Sequence, residues 1–302
     1  MKLWKKILLA VVIFLVSGVL YLLINVRSID VEQLSADLWV LRGVGSNTVV
    51  LNTDQGTVVV DSMTFPMQGK LIRAKAEELT GKEVALLINT HYHLDHTHGN
   101  PAFAPDTQVV ATERTLSHLK ALDASFWEGD RAALLPNETF SDELIIDMGN
   151  KTILLKFIGR GHTDGDLIVL IEEEQVLAMG DLFFNERYPN IDLEAGGSVQ
   201  LWAQTIDAAL ELDFEVVVPG HGATTDELGL LAFQRFIDQL ATLGAKAALD
   251  ELTLAEFIES DELTADRGYT EATFAGISIG LNRQFVLRRA WEEATGNYEV
   301  KN

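Results

Sequence analysis

The chain has 302 residues, contains no cysteine and carries a formal net charge of −22 at pH 7. Without cysteine it can form neither disulfide bonds nor thiolate metal sites, so any metal ion must take histidine and carboxylate ligands. No Lys/Arg-rich run follows the N-terminus, and the strong negative charge argues against a nucleic-acid partner.

The N-terminal segment, residues 1–30, predicts a membrane anchor. Three lysines within the first six residues precede an uncharged run over residues 7–26, which has the length of a bilayer-spanning helix. The lysines should stay cytoplasmic, which places the catalytic part of the chain outside, in the periplasm or the extracellular space. A signal peptide cleaved near residues 16–18 is the alternative, and it predicts a secreted protein.

From residue 37 the pattern changes to short apolar runs separated by turn residues. Runs rich in β-branched residues predict strands, and residues 52–56 are typical of a hairpin turn between two of them. Asp61 closes the third run, where a carboxylate is either a turn residue or a partner that orients a ligand imidazole. The predicted elements are strands at 38–41, 48–51, 57–60, 84–89 and 108–112 and helices at 66–80 and 113–123.

Four potential metal ligands lie within six residues, directly after the strand predicted at 84–89. They are His91, His93, Asp95 and His96, and this clustering argues against ordinary surface or core histidines. In extended backbone residues i and i+2 point the same way, so His91 and His93 can bind one ion together. Asp95 and His96 fall where the chain turns toward a helix, so they can face a second ion beside the first.

The second half of the chain repeats this arrangement of strands and polar strand ends. His162, Asp181 and His221 each lie just beyond a β run and next to glycine. One such residue would mean little, but three predict strand-end loops that converge on one point. The predicted elements are strands at 144–146, 152–157, 167–171, 175–179 and 215–218 and an amphipathic helix at 199–212.

The last part of the chain, residues 224–302, is predicted to be helical. Apolar residues recur at near-helical spacing, residues 253–256 form a capping-box pattern, and residues 274–291 predict a long final helix. No low-complexity linker separates this part from the rest, which favours a helical extension packed on the core over a separate functional module.

Taken in order, the motifs resemble the metallo-β-lactamase superfamily over about residues 31–223. They are His-x-His-x-Asp-His, a lone histidine after a strand, Gly-Asp, and Pro-Gly-His-Gly. The resemblance implies an α/β fold, the αβ/βα four-layer metallo-β-lactamase sandwich, with a dinuclear site at one edge of the two sheets. We therefore expect an anchor or signal segment at 1–30, a catalytic domain at 31–223 and a helical C-terminal extension at 224–302. By position, one metal would be held by His91, His93 and His162, and the other by Asp95, His96 and His221. Asp181 would bridge the two metals.

The resemblance implies a metal-dependent hydrolase with two Zn²⁺ ions per chain, although iron or manganese would suit the same ligands. Two ions about 3.5–4 Å apart can share a water and supply hydroxide near neutral pH. The expected reaction is attack on the carbonyl of a small ester, thioester, lactone or amide. Asp181 would keep the cations together, and Asp95 would orient the nucleophile and carry a proton to the leaving group.

The ligand set narrows the resemblance but leaves the substrate open. Members that degrade β-lactams usually lack the bridging aspartate and often use cysteine, so Asp181 makes this chain more similar to glyoxalase II-like hydrolases and lactonases. True glyoxalase II enzymes bind glutathione through basic residues of a helical C-terminal region, which Arg283, Arg288 and Arg289 do not match clearly. A β-lactamase, a mononuclear iron enzyme that oxidises sulfur compounds, and a metal-binding protein without turnover are the alternatives.

Two segments have roles that the sequence does not decide. The irregular loop predicted at 124–141 carries apolar residues that either wall a substrate pocket or pack the loop onto the core. The polar residues at 185–188 follow Asp181 closely and either contact substrate or form an ordinary loop. His98 and His118 receive no role from the resemblance.

Overall fold

The computed structural model describes residues 3–260, 262–274 and 277–299. A seven-stranded sheet occupies the first half of the described chain. Its strands are β1 (Asp30–Gln33), β2 (Leu38–Arg42), β3 (Asn47–Thr53), β4 (Gly56–Val60), β5 (Val84–Ile88), β6 (Gln108–Thr112) and β7 (Glu138–Phe140). They pair in chain order, antiparallel from β1 to β4 and parallel from β4 to β7.

A five-stranded sheet follows in the second half. Its strands are β8 (Glu143–Asp147), β9 (Thr152–Lys156), β10 (Ile168–Ile171), β11 (Val176–Ala178) and β12 (Val216–Val218). They pair in the order β12-β11-β10-β9-β8, and β11 and β12 are parallel while the other pairs are antiparallel. A separate small hairpin joins β13 (Thr273–Phe274) and β14 (Ile277–Ser278).

The helices connect the strands and cover the sheets. They are α1 (Leu3–Arg27), α2 (Pro66–Thr80), α3 (Leu94–Thr97), α4 (Glu113–Ala121), α5 (Val199–Leu210), α6 (Glu227–Leu249), α7 (Leu254–Ser260) and α8 (Arg283–Thr295). Short 3₁₀ turns lie at Asn100–Ala102, Gly129–Leu134, Glu172–Glu174, Gly180–Leu182 and Leu193–Ala195.

The two sheets pack face to face and are each covered by helices, because their central strands carry apolar residues on both faces. In β2, Leu38 and Val40 face the second sheet, while Trp39 packs in the outer cluster that includes α2. In β10, Val169 faces the first sheet and Leu170 packs in the outer cluster that includes α5, α6 and α8. This period of two produces the layer order helix, sheet, sheet, helix, which confirms the predicted sandwich.

Strand direction brings the polar loops to one edge of the sandwich. Strands β4 to β6 are parallel, so Asp61 and the histidine cluster leave them at the same end. Strands β11 and β12 are also parallel, and Asp181 and His221 follow them closely. Strand β10 runs antiparallel to β11, so the loop with His162 that precedes β10 lies at that end too.

The predicted elements match the observed ones closely where the sequence pattern is strong. Helix α2 begins and ends as predicted, and the side chain of Glu256 accepts a hydrogen bond from the backbone N–H of Thr253, as a capping box requires. Strand β7 was not predicted, because three residues at a sheet edge carry little pattern. The long final helix was wrong: a hairpin occupies β13 and β14, and α8 begins only at Arg283, after the Asn282 cap.

The N-terminal residues form helix α1, whose first described residue is Leu3. Among the residues that the structure describes, we find no helix with the length and apolar character needed to cross a membrane. The membrane anchor predicted at residues 1–30 stays a prediction. The boundary predicted at residue 223 stays a prediction, and α6 and α8 share one hydrophobic cluster with β10 to β12.

Candidate metal centre

The seven predicted site residues lie together at the sheet edge, in two adjoining groups. Within each group the ligand atoms lie within 4.8 Å of one another. The first group contains His91, His93, His162 and Asp181, and the second contains Asp95, His96 and His221.

Local backbone conformation divides the histidine cluster between these groups. His93 is extended, with φ −62° and ψ 150°, and it forms the N-cap of α3. His91 and His93 therefore point to the first group, as residues i and i+2 of extended chain should. Asp95 and His96 lie inside α3, where the helical turn redirects them to the second group.

Asp181 lies between the two groups and presents one carboxylate oxygen to each. Its Oδ2 is 3.5 Å from Nε2 of His162 and 3.8 Å from Nε2 of His91. Its Oδ1 is 3.2 Å from Nε2 of His96 and 3.2 Å from Nε2 of His221. Asp95 completes the second group, because its Oδ2 is 3.3 Å from Nε2 of His221.

The loops approach closely only because glycine occupies a critical position. A Cβ atom at Gly220 would lie 2.0 Å from Oδ1 of Asp181. Any other residue there would displace the carboxylate or the loop that carries His221.

Atoms that face inward lack the partners that buried polar atoms normally have. Among the described residues, buried side-chain atoms without a hydrogen bond include Nε2 of His91, Nε2 of His96 and Oδ1 of Asp181. These three residues are at most 3% exposed. Unpaired buried polar atoms cost stability, so their concentration at one point indicates an electron-pair acceptor between them.

Asp61 contacts His96 directly and His91 through Thr90, which favours the interpretation that it orients imidazoles over that of a plain turn residue. Its Oδ2 accepts a hydrogen bond from Nδ1 of His96 at 2.6 Å and another from the hydroxyl of Thr90 at 2.7 Å. The Thr90 hydroxyl oxygen lies 3.1 Å from Nδ1 of His91 and can accept from it. In their neutral forms both rings then carry the proton on Nδ1, which leaves the Nε2 lone pairs facing inward.

The first group has similar partners, which the sequence did not reveal. His93 directs Nε2 at Oδ2 of Asp192 at 2.9 Å, and His162 directs Nδ1 at the carbonyl of Asn190, also at 2.9 Å. Both partners only accept hydrogen bonds, so the opposite nitrogens carry lone pairs. Those nitrogens, Nδ1 of His93 and Nε2 of His162, lie only 2.7 Å apart. The lone pairs of two neutral rings repel each other at this distance unless a cation binds both nitrogens.

Burial and the charges within the centre shift the pKa values of its histidines in opposite directions when no metal is bound. Burial lowers the pKa of His91 well below its usual range and lowers that of His162 to about 4. Burial also opposes protonation of His96 and His221, but the negative charge of Asp181 outweighs it. The pKa of His96 is therefore raised, and that of His221 rises to about 10.

The other polar candidates contact protein partners. The side chain of Asn185 donates to the Ala223 carbonyl at 2.8 Å, and the hydroxyl of Tyr188 donates to Asp266 at 2.7 Å. Arg187 donates to the hydroxyl of Thr270. These contacts favour a structural loop at 185–188.

His98 and His118 also have carboxylate partners outside the two groups. Nε2 of His98 lies 2.8 Å from Oδ2 of Asp123, and its ring stacks on Phe126 with centroids 3.4 Å apart. Nε2 of His118 lies 2.7 Å from Oδ1 of Asp164. The aromatic residues of the 124–141 loop therefore pack onto the protein.

A cavity of about 380 Å³ opens beside the first group. His93 forms part of its wall, together with Tyr92, Leu94 and Leu122, and Asp123, Asp192 and Glu194 add carboxylates.

Comparison with known proteins gives consistent matches. Residues 41–221 match the family model described as the metallo-beta-lactamase superfamily. The chain is 30% identical to the metallo-beta-lactamase type 2 of Bacillus sp. (strain 170), over 68% of this chain and 80% of that protein.

Its fold resembles a metallo-beta-lactamase from Pontibacter korlensis, with TM-score 0.61 and 22% identity, over 70% of this chain and 99% of that one. It also resembles a stereoselective inverting sec-alkylsulfatase from Pseudomonas sp., with TM-score 0.69 and 15% identity, over 89% of this chain and 51% of that one. The two structural matches support the fold alone.

Proposed function

We propose that this chain, which belongs to the metallo-beta-lactamase superfamily and is a metal-dependent hydrolase, binds two divalent metal ions and hydrolyses a carbonyl substrate. The observation that carries this proposal is the carboxylate of Asp181, whose oxygens face the two ligand groups separately. A single negative group between two sites reduces the repulsion between two cations.

The donor atoms fit such a pair of ions. Five imidazole nitrogens and two carboxylates suit zinc, and iron or manganese would accept the same set. His91, His93 and His162 would hold one ion, Asp95, His96 and His221 would hold the other, and Asp181 would contact both. The unpartnered buried atoms of the centre support this assignment, because one cation at each ligand group would satisfy all three.

When bound, the ions would supply Lewis acidity and a water of lowered pKa. The protein residues perform the remaining tasks. Asp95 is about one quarter exposed, and the His96 and His221 charges hold its pKa below the usual range although burial opposes this. Its carboxylate is therefore ionised and lies at the solvent side of the centre, where it would accept a hydrogen bond from the nucleophile and guide a proton to the leaving group.

A β-lactam is the second candidate substrate, because the 30% identical relative from Bacillus is named a metallo-beta-lactamase. The single-iron alternative is less well supported, since the second ligand group of Asp95, His96 and His221 is complete.

Metal content and turnover test the proposal together. We expect about two zinc ions per chain after metal-replete purification, and hydrolysis of at least one compound in a panel of esters, lactones, thioesters and a chromogenic cephalosporin. Removing the metal with a chelator should abolish turnover, and added zinc should restore it. Elemental analysis that finds one ion or none at saturation contradicts the dinuclear site, and full activity after chelation contradicts metal dependence.

Metal uptake should release protons, because His96 and His221 hold protons in the metal-free protein. A histidine whose folded pKa is raised stabilises the protein below its unfolded pKa, near 6.5, and that contribution is lost as the pH rises through the folded pKa. For His221 this stabilising contribution is lost as the pH rises through about 10, the pKa of its ring in the folded protein. Zinc affinity should therefore increase as the pH rises from neutral toward 10.

Calorimetric titrations of metal-free protein with zinc, in buffers of different ionisation enthalpy, measure this release. We expect net release near pH 8, with about one proton from His221, whose pKa is about 10, and a further contribution from His96. Replacing His221 with alanine should lower the count by about one. A count near zero for the unaltered protein contradicts the protonation that we assign to the metal-free centre.

The location outside the cytoplasm, predicted from the N-terminal residues, stays a proposal. Fractionation of cells that express the full chain, followed by detection of the C-terminus, would test it.

A further inference from the structure

The segment at residues 190–198 lies against the first ligand group and contacts two of its histidines. The carboxylate of Asp192 accepts from Nε2 of His93, and the backbone carbonyl of Asn190 accepts from Nδ1 of His162, both at 2.9 Å. Because both partners only accept, they determine which nitrogen of each ring keeps its lone pair. The segment therefore decides whether these two rings present the correct atoms.

Asp192 is itself held firmly. The hydroxyl of Tyr92 donates to Oδ2, and the backbone N–H of Ala195 donates to Oδ1 at 3.1 Å. Its own backbone N–H donates to the carbonyl of His162 at 3.1 Å. The Asp192 side chain is only 12% exposed.

The segment is fastened from outside by helix α8, about one hundred residues further along the chain. Nε of Arg289 donates at 2.8 Å to the carbonyl of Ile191, the residue before Asp192. Its other two nitrogens pair with Glu194, two residues after Asp192. Glu293, one helical turn later, accepts from the backbone N–H of Val199 at 2.7 Å. Arg289 thus contacts the chain on both sides of Asp192.

We propose that Asp192 is a positioning residue for His93 and that Arg289 positions Asp192, so that helix α8 controls the geometry of the first metal group. This inference rests on the proposed metal centre. Helix α8 lies outside residues 41–221, the part of the chain that matches the family model. Through Arg289 the C-terminal extension would act on the metal centre, although it lies far from the metal ligands in the sequence.

The planar guanidinium is suited to this role, because it can donate in several fixed directions at once. Arg289 is 8% exposed, so its loss would leave the Ile191 carbonyl buried without its donor. The segment could then shift and carry the Asp192 carboxylate away from His93.

The first test replaces Asp192 with alanine and measures affinity at the first group by competition with a chelator. A His221→Ala background weakens the second group, so that the first can be titrated alone with Co²⁺. We expect affinity to fall about 10–100-fold. Unchanged affinity would overturn the role of Asp192.

A second readout needs no metal. Nitrogen-15 NMR of the metal-free protein should show the His93 proton on Nε2 in the unaltered chain, and the Asp192→Ala variant should lose that preference. An equal mixture of tautomers already present in the unaltered chain would contradict the proposal.

The third test asks whether Arg289 acts through Asp192. Arg289→Met should weaken first-group affinity about 2–30-fold. Arg288→Met is the matched control, since the Arg288 side chain is 48% exposed and its ion pair with Glu292 spans 3.9 Å. The control should bind metal normally, and Arg289→Lys, which keeps the charge but not the fork of donors, should restore only part of the affinity.

A double-mutant cycle separates positioning from general destabilisation. If Arg289 acts by placing Asp192, the double variant should bind Co²⁺ about as weakly as Asp192→Ala alone. Fully additive losses, or equal losses at both metal groups with a lowered melting temperature, would overturn the proposal. Failure of the unaltered chain to bind two ions would instead refute the proposed centre, so the two failures are distinguishable.

Discussion

Replacing Asp181 with alanine should remove the second metal ion and abolish hydrolysis together. Its oxygens lie 3.2 Å from Nε2 of His96 and 3.5 Å from Nε2 of His162, so both groups lose a donor at once. Two cations would then face each other without the negative charge between them. Because paired ions supply several kcal/mol of charge stabilisation, we expect kcat/KM to fall roughly a thousandfold or more.

Metal analysis and kinetics on the same preparation measure this effect. Asp213→Ala, at an exposed position before β12 and so at the opposite end of that strand from His221, is the matched control and should keep two ions and full turnover. Circular dichroism of the Asp181→Ala protein checks that it folds. If the variant keeps both ions and its rate, the bridging role is wrong.

Replacing Asp61 with alanine should weaken metal binding at both groups although Asp61 contacts no ion in our assignment. Its carboxylate accepts from the backbone N–H of Thr90, the hydroxyl of Thr90 and Nδ1 of His96. We expect about 10–100-fold lower metal affinity. The free energy of unfolding should also fall by about 1–3 kcal/mol, because these buried donors lose their acceptor.

Two further variants separate the loss of the Asp61 charge from the cost to the backbone and from the loss of the contact through Thr90. Asp61 has a φ of 64°, a left-handed conformation that asparagine tolerates and alanine does not, so Asp61→Asn removes the charge without the backbone cost. Thr90→Val removes only the hydroxyl that links Asp61 to His91, so it should weaken the first group and spare the second. Chelator competition and urea unfolding give the two quantities. Equal losses at both groups in Thr90→Val would contradict the proposed relay.

Local patterns in the sequence were enough to predict much of the molecule. Apolar runs with β-branched residues predicted most strands of the sandwich, since a strand buried on both faces needs such residues. The spacing of His91, His93, Asp95 and His96 predicted two directions of approach, because the change from extended to helical backbone is itself local. The ordered motifs were sufficient to indicate the family.

Only the tertiary structure showed which distant atoms complete the centre. Asp192 and Arg289 lie in stretches with no motif, and their importance depends on contacts across about one hundred residues of chain. A hydrogen bond leaves no periodic trace in sequence, because it requires only one suitable atom at the correct place. For the same reason the hairpin at β13 and β14 replaced a predicted helix: apolar spacing describes a local preference, and packing decides among the conformations that satisfy it.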